Sequence, residues 1–93
     1  MCGIAGWFLT GKVTEAQSKE IHKIATKLFV ETQSRGTDAA GFSYINAHGK
    51  LVTVKAPMAA VKMVQEKKWM DLVKNLPTSI IMHTRAATTG LPI

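Results

Sequence analysis

Cys2 is the only cysteine in the chain, and it stands directly behind Met1. If Met1 is removed, this one residue carries both a thiol and a free α-amine. A terminal amine is basic near neutral pH, so it can take the proton of the nucleophile without a histidine relay. The plain alternative is a small apolar residue with no chemistry, a common use of free cysteine. Arg85 offers a planar guanidinium fork matched to a carboxylate, and Thr88 and Thr89 follow it as hydroxyl donors. Taken singly, these three are also ordinary strand-end and loop residues. Gly3 and Gly6 either let backbone and substrate come close to Cys2 or simply loosen a strand end. Arg35 and Asp38 are opposite charges three residues apart, a spacing that suits a local ion pair fixing a turn. His22, His48 and His83 are too scattered to form a metal site, so no metal and no cofactor is expected. His22 is read as a helix-surface residue, His48 as a turn residue and His83 as a strand-end residue.

The elements that must hold these groups follow from the apolar pattern. Residues 3–9 form an apolar run with Trp7 and Phe8, bounded by Thr10, Gly11 and Lys12, and predict a buried opening strand. Thr14 and Gln17 make a capping box, and Ile21, Ile24, Ala25, Leu28 and Phe29 fall at helical spacing, which predicts a helix over 14–33 with Gly36 as a stop signal. Residues 41–45 and 51–55 favour strands and are joined by a loop containing Gly49, so a hairpin is expected. Pro57 opens a second helical pattern that runs to Pro77, with Lys67 and Lys68 as a break. Residues 78–83 predict a last strand, and the chain then turns through 84–90. This order makes an α+β layered unit without repeats or linkers.

Composition narrows the function. The chain has 93 residues, 46% apolar and 19% charged, which fits one small globular unit. A lone cysteine gives no disulfide framework, so a cytoplasmic setting is expected. No stretch is long enough to cross a bilayer, and none has the form of a signal peptide, so no membrane partner is expected. The formal charge of +6 is spread along the chain, and Lys19, Lys23 and Lys27 recur on one helix as a solvated face. No aromatic interleaving accompanies them, and no nucleic-acid partner is expected.

Three segments, in order, resemble class II glutamine amidotransferases, a family with an N-terminal cysteine nucleophile. Met1-Cys2-Gly3-Ile4-Ala5-Gly6 is similar to the family's opening. Arg35-Gly36-Thr37-Asp38-Ala39-Ala40-Gly41 is similar to its arginine-glycine-x-aspartate segment after the first helix. His83-Thr84-Arg85-Ala86-Ala87-Thr88-Thr89-Gly90 is similar to its glutamine-binding loop. The resemblance implies glutamine hydrolysis through a cysteinyl thioester, with Cys2 as nucleophile, Arg85, Thr88 and Thr89 on the substrate carboxylate, and Arg35 and Gly3 in support. It implies an acceptor of ammonia on another domain or subunit.

The fold implied is the αββα sandwich of N-terminal-nucleophile hydrolases, of which residues 1–93 would be the front part, apparently truncated. The family's asparagine-glycine oxyanion segment is expected beyond Ile93, and the loss of an oxyanion donor costs orders of magnitude in rate. Ala86 stands where one subgroup has tryptophan, so that subgroup's acceptor chemistry is not implied. The rival reading is an inactive fragment of the family that acts as a binding or assembly module.

Self-activation requires a free amine at Cys2. The intact mass of the active protein should therefore lack the initiator methionine, and retention of Met1 in active material would refute the amine as base.

Overall fold

In the computed structural model, which describes residues 2–86, the chain's strands form one antiparallel sheet. Strand β1 is Cys2–Phe8, β2 is Ala39–Ile45, β3 is Leu51–Ala56 and β4 is Ser79–Arg85, arranged in the order β1-β4-β2-β3. The last strand in sequence therefore lies between the first and second. Helix α1 (Glu15–Glu31) and the short helices α2 (Ala60–Met63) and α3 (Lys67–Met70) cover one face of the sheet, which gives an α+β domain of two layers.

Local signals account for the ends of several elements. Thr14 Oγ1 accepts the Gln17 N–H at 3.1 Å and Gln17 Oε1 accepts the Thr14 N–H at 2.8 Å, so the capping box at the start of α1 forms as expected. In the hairpin, Asn46 Oδ1 accepts the N–H groups of His48 and Lys50 at 2.9 and 3.0 Å, and Gly49 takes φ 76°, a left-handed conformation that favours glycine.

The structure alters several expectations, the first being that β1 is an edge strand with Ile4 and Phe8 exposed and not the buried strand expected. Helix α1 ends at Glu31, and a 3₁₀ turn over Thr32–Arg35 replaces the end of the expected helix. The second helical pattern divides into α2, α3 and a 3₁₀ segment Asp71–Asn75, with the break before Lys67 and not at it. There, Lys67 hydrogen-bonds to Asp71 and, with Lys74 beside it, holds that carboxyl below its ordinary value. Strand β4 continues to Arg85, two residues past its expected end, because Thr84 and Arg85 pair with strands on both sides.

The core lies between the helices and the inner face of the sheet. Trp69, fully buried, meets Phe29 and Phe42 edge to face with ring centroids 5.1 Å away in each case. Its indole N–H donates to Thr26 Oγ1 at 2.9 Å, so the one polar atom of the side chain is satisfied. His22 Nε2 lies 2.9 Å from the Trp69 carbonyl oxygen, and the two rings meet at a tilt of 34° with centroids 5.2 Å apart, which corrects the reading of His22 as a surface residue. Along α1 the buried row is Ala25 and Phe29, whereas Ile24 and Leu28 remain exposed, so only one edge of the apolar stripe faces the sheet.

Trp69 joins α1, α3 and β2, and a small domain has little stability to spare. Trp69→Ala should cost about 3–5 kcal/mol, read as a large fall in the midpoint of denaturant unfolding or as loss of the cooperative transition.

Candidate functional site

Register decides which side chains share a face. Cys2 pairs with Arg85 across β1 and β4, and Arg85 pairs with Ala39 across β4 and β2. Directly opposed residues of an antiparallel pair point to the same side, with Cβ atoms about 5 Å apart. Cys2, Arg85 and Ala39 therefore form one row at the end of the sheet, on the face that the helices do not cover. Cys2 and Arg85 are both exposed there. The next row on this face holds Ile4, His83, Gly41 and Lys55. His83 is thus inside a strand and not at its end, with its ring lying against Gly41: a Cβ on that glycine would meet His83 Nε2 at 2.6 Å.

The opposite face anchors this row. Gly3, Thr84 and Ala40 are buried directly behind it. The Thr84 hydroxyl donates to the Thr32 carbonyl at 2.7 Å, which ties β4 to the 3₁₀ turn at the end of α1. A Cβ on Gly3 would lie 2.7 Å from the Thr32 oxygen and 2.8 Å from Thr84 Oγ1. Gly3 therefore makes room for the turn. The side on which that room is needed faces the helices, away from the Cys2 side chain.

The expected ion pair between Arg35 and Asp38 does not form among the described residues, and Arg35 is exposed. Backbone contacts fix this turn. The Asp38 N–H donates to the Arg85 carbonyl at 2.9 Å, one residue before β2 begins, and Gly36 is buried against the same peptide. The segments holding Cys2, Arg35 to Asp38 and Arg85 thus meet at one end of the sheet. Thr88 and Thr89 lie outside the described residues.

Two grooves among the described residues lie elsewhere. One is bordered by Leu9, Lys12, Lys74 and Thr78, the other by Tyr44, Asn46, Asp71 and Pro77, at the far end of the strands from Cys2. Among the described residues, no group of three histidine, cysteine or acidic side chains comes together to hold a metal. No helix of the described residues is long and apolar enough to cross a membrane.

Sequence reasoning did not single out Thr84 or assign Gly36 a contact. Thr84 was detectable, because Ile80, Met82 and Thr84 alternate onto the buried face of β4. The neighbour of Gly36 is 49 residues away in sequence, and no local signal reveals it.

A four-stranded antiparallel sheet with helices on one face defines the class of fold, and comparison with known proteins bears on that fold. No family model matches the chain, and no curated protein sequence matches it. A chain from the complex of the β-clamp processivity factor and the little finger domain of PolIV is similar in structure, with a TM-score of 0.61 and 6% identity. The match covers 100% of this chain and 95% of the other. At that identity the likeness is one of fold alone.

Because Thr84 fixes the strand that carries Arg85, its hydroxyl should matter beyond packing. Thr84→Val keeps the shape but removes the buried hydroxyl that donates to the part-buried Thr32 carbonyl, and should cost about 1–3 kcal/mol in denaturant unfolding.

Proposed function

We propose that this chain belongs to the glutaminase part of a class II glutamine amidotransferase, with Cys2 as nucleophile and Arg85 as the carboxylate anchor. The observation that carries this reading is the opposition of Cys2 and Arg85 on neighbouring strands, on one exposed face. Four carbon–carbon bonds separate the α-carboxylate carbon of glutamine from its δ-carbonyl carbon, about 5 Å when extended. A carboxylate gripped by the Arg85 fork therefore leaves the δ-amide within the neighbourhood of a group on the adjacent strand.

In this reading the α-amine of Cys2, freed by loss of Met1, takes the thiol proton. The thiolate attacks the δ-carbonyl carbon, and its π electrons move to oxygen. The tetrahedral intermediate collapses as the amine returns the proton to the departing nitrogen, giving ammonia and a γ-glutamyl thioester. Water, deprotonated by the same amine, then attacks the thioester and releases glutamate and the thiol. Thr88 and Thr89 are assigned to the carboxylate beside Arg85. Arg35, on the turn that touches β4, is assigned a supporting role at this end of the sheet. Ammonia passes to an acceptor domain or subunit.

The uncovered sheet face supports the finer αββα reading. Ile4 is 74% exposed, Phe8 75% and Ile81 58%, and all three stand on that face by register. A second sheet packed there would bury them, as apolar side chains on one face of a sheet require a partner layer.

The test is covalent labelling and kinetics on the full-length protein. A diazoketone analogue of glutamine should modify Cys2, and Cys2→Ser should abolish labelling and glutaminase activity, since serine keeps the amine but lacks an easily ionised nucleophile. Arg85→Lys replaces a two-bond fork with a point charge. It should lower kcat/KM for glutamine about ten- to a hundredfold, mainly through KM. Full activity in Cys2→Ser would remove the nucleophile assignment, and unchanged glutamine kinetics in Arg85→Lys would remove the anchor.

A further inference from the structure

Gly36 closes the 3₁₀ turn that follows α1, and it is buried. Its backbone, at φ 171° and ψ 138°, is extended and open to any residue, so conformation does not demand a glycine there. Space does. A Cβ at this position would lie 2.1 Å from the Arg85 carbonyl carbon, 2.2 Å from the Ala86 nitrogen and 2.6 Å from the Arg85 oxygen. Every one of these atoms is backbone, so no flexible side chain can swing away to relieve the contact.

The same peptide is held from a second direction. Asp38 N–H donates to the Arg85 oxygen at 2.9 Å, while Gly36 N–H is itself tied back to the Gln33 carbonyl at 2.9 Å. One residue earlier, Thr84 donates to the Thr32 carbonyl. The planar Arg85–Ala86 peptide is thus clasped by residues 36 and 38, which fixes the backbone at the position that carries the Arg85 side chain.

From this clasp we infer that Gly36 is a positioning residue for substrate binding, acting through the Arg85–Ala86 peptide. The inference rests on the reading of Arg85 as the carboxylate anchor. A methyl group at Gly36 must push the two backbones apart by about 1 Å to reach ordinary contact near 3.4 Å. A displacement of about that size in a group that orients substrate can cost a hundredfold.

The experiment compares two reagents on the full-length protein. The diazoketone analogue carries the amino-acid end of glutamine, and iodoacetamide does not. In the unaltered protein the analogue should label Cys2 with strong preference, suppressed by added glutamine. Gly36→Ala should lower the rate of labelling by the analogue at least tenfold and raise KM for glutamine more than it lowers kcat, with the iodoacetamide rate unchanged. Gly11→Ala serves as the control, because nothing lies within 4 Å of a Cβ there, and it should change neither rate.

If Gly36→Ala keeps the full preference for the analogue, or slows both reagents equally, the positioning role is overturned while the glutaminase reading stands. If the unaltered protein shows no preference for the analogue, the glutaminase reading itself fails, and the inference falls with it. Should Gly36→Ala not fold, amide hydrogen exchange on the unaltered protein decides: glutamine should slow exchange at the Asp38 amide, and an unchanged rate would overturn the coupling.

Discussion

Strand β4 lies between β1 and β2, and the rest of the arrangement depends on that insertion. Its pairing with β1 brings Arg85 opposite Cys2, and its pairing with β2 brings Arg85 opposite Ala39, at the end of the Arg35 to Asp38 turn. Antiparallel pairing with period-two alternation then dictates two populations of side chains. One, including Ile80, Met82 and Thr84, goes to the helices, and the other, including Ile81, His83 and Arg85, to the open face. A slip of one residue in this strand would bury Arg85 and expose the core. The apolar core and the candidate site are therefore fixed by the same register.

The helical layer protects that register in two places. Near the middle of the sheet, Trp69 packs on Phe42 of β2 and Phe29 of α1, so helix and sheet are locked through aromatic edges. At the Cys2 end, where the side chains become small, backbone contact replaces aromatic packing. Gly3 admits Thr32, Thr84 binds the Thr32 carbonyl, and Gly36 packs closely against the Arg85–Ala86 peptide. Close approach of main chains gives a stiff junction without bulky side chains, which leaves the opposite face free for reactive groups.

The two faces of the sheet differ in kind. The helix side is closed and satisfied: among the described residues, no buried side-chain nitrogen or oxygen lacks a hydrogen-bond partner. The other side combines Cys2 and Arg85 at one end with Ile4, Ile81 and Phe8 along its length. Under the proposed reading, a second layer packed on this face would bury those apolar side chains and lie beside the Cys2 and Arg85 end.

Much of the local structure was legible in the sequence because its causes are local. Thr14 and Gln17 cap a helix three residues apart, Asn46 and Gly49 shape a turn through their own side chain and backbone, and alternation marks the strands. Cys2 and Arg85 were identifiable as chemical candidates because their functional groups belong to the residues themselves. Strand order was not legible: a single β-pattern carries no label for its neighbour, and β4 pairs with residues 36 or more positions earlier in the sequence. The same limit hid the place of His22 against Trp69 and the burial of Gly36, since each depends on an atom far along the chain. Sequence by itself determined which residues could react and where helices and turns begin. Tertiary structure decided which of those residues share a face, because only long-range pairing sets the register that aims a side chain toward the core or away from it.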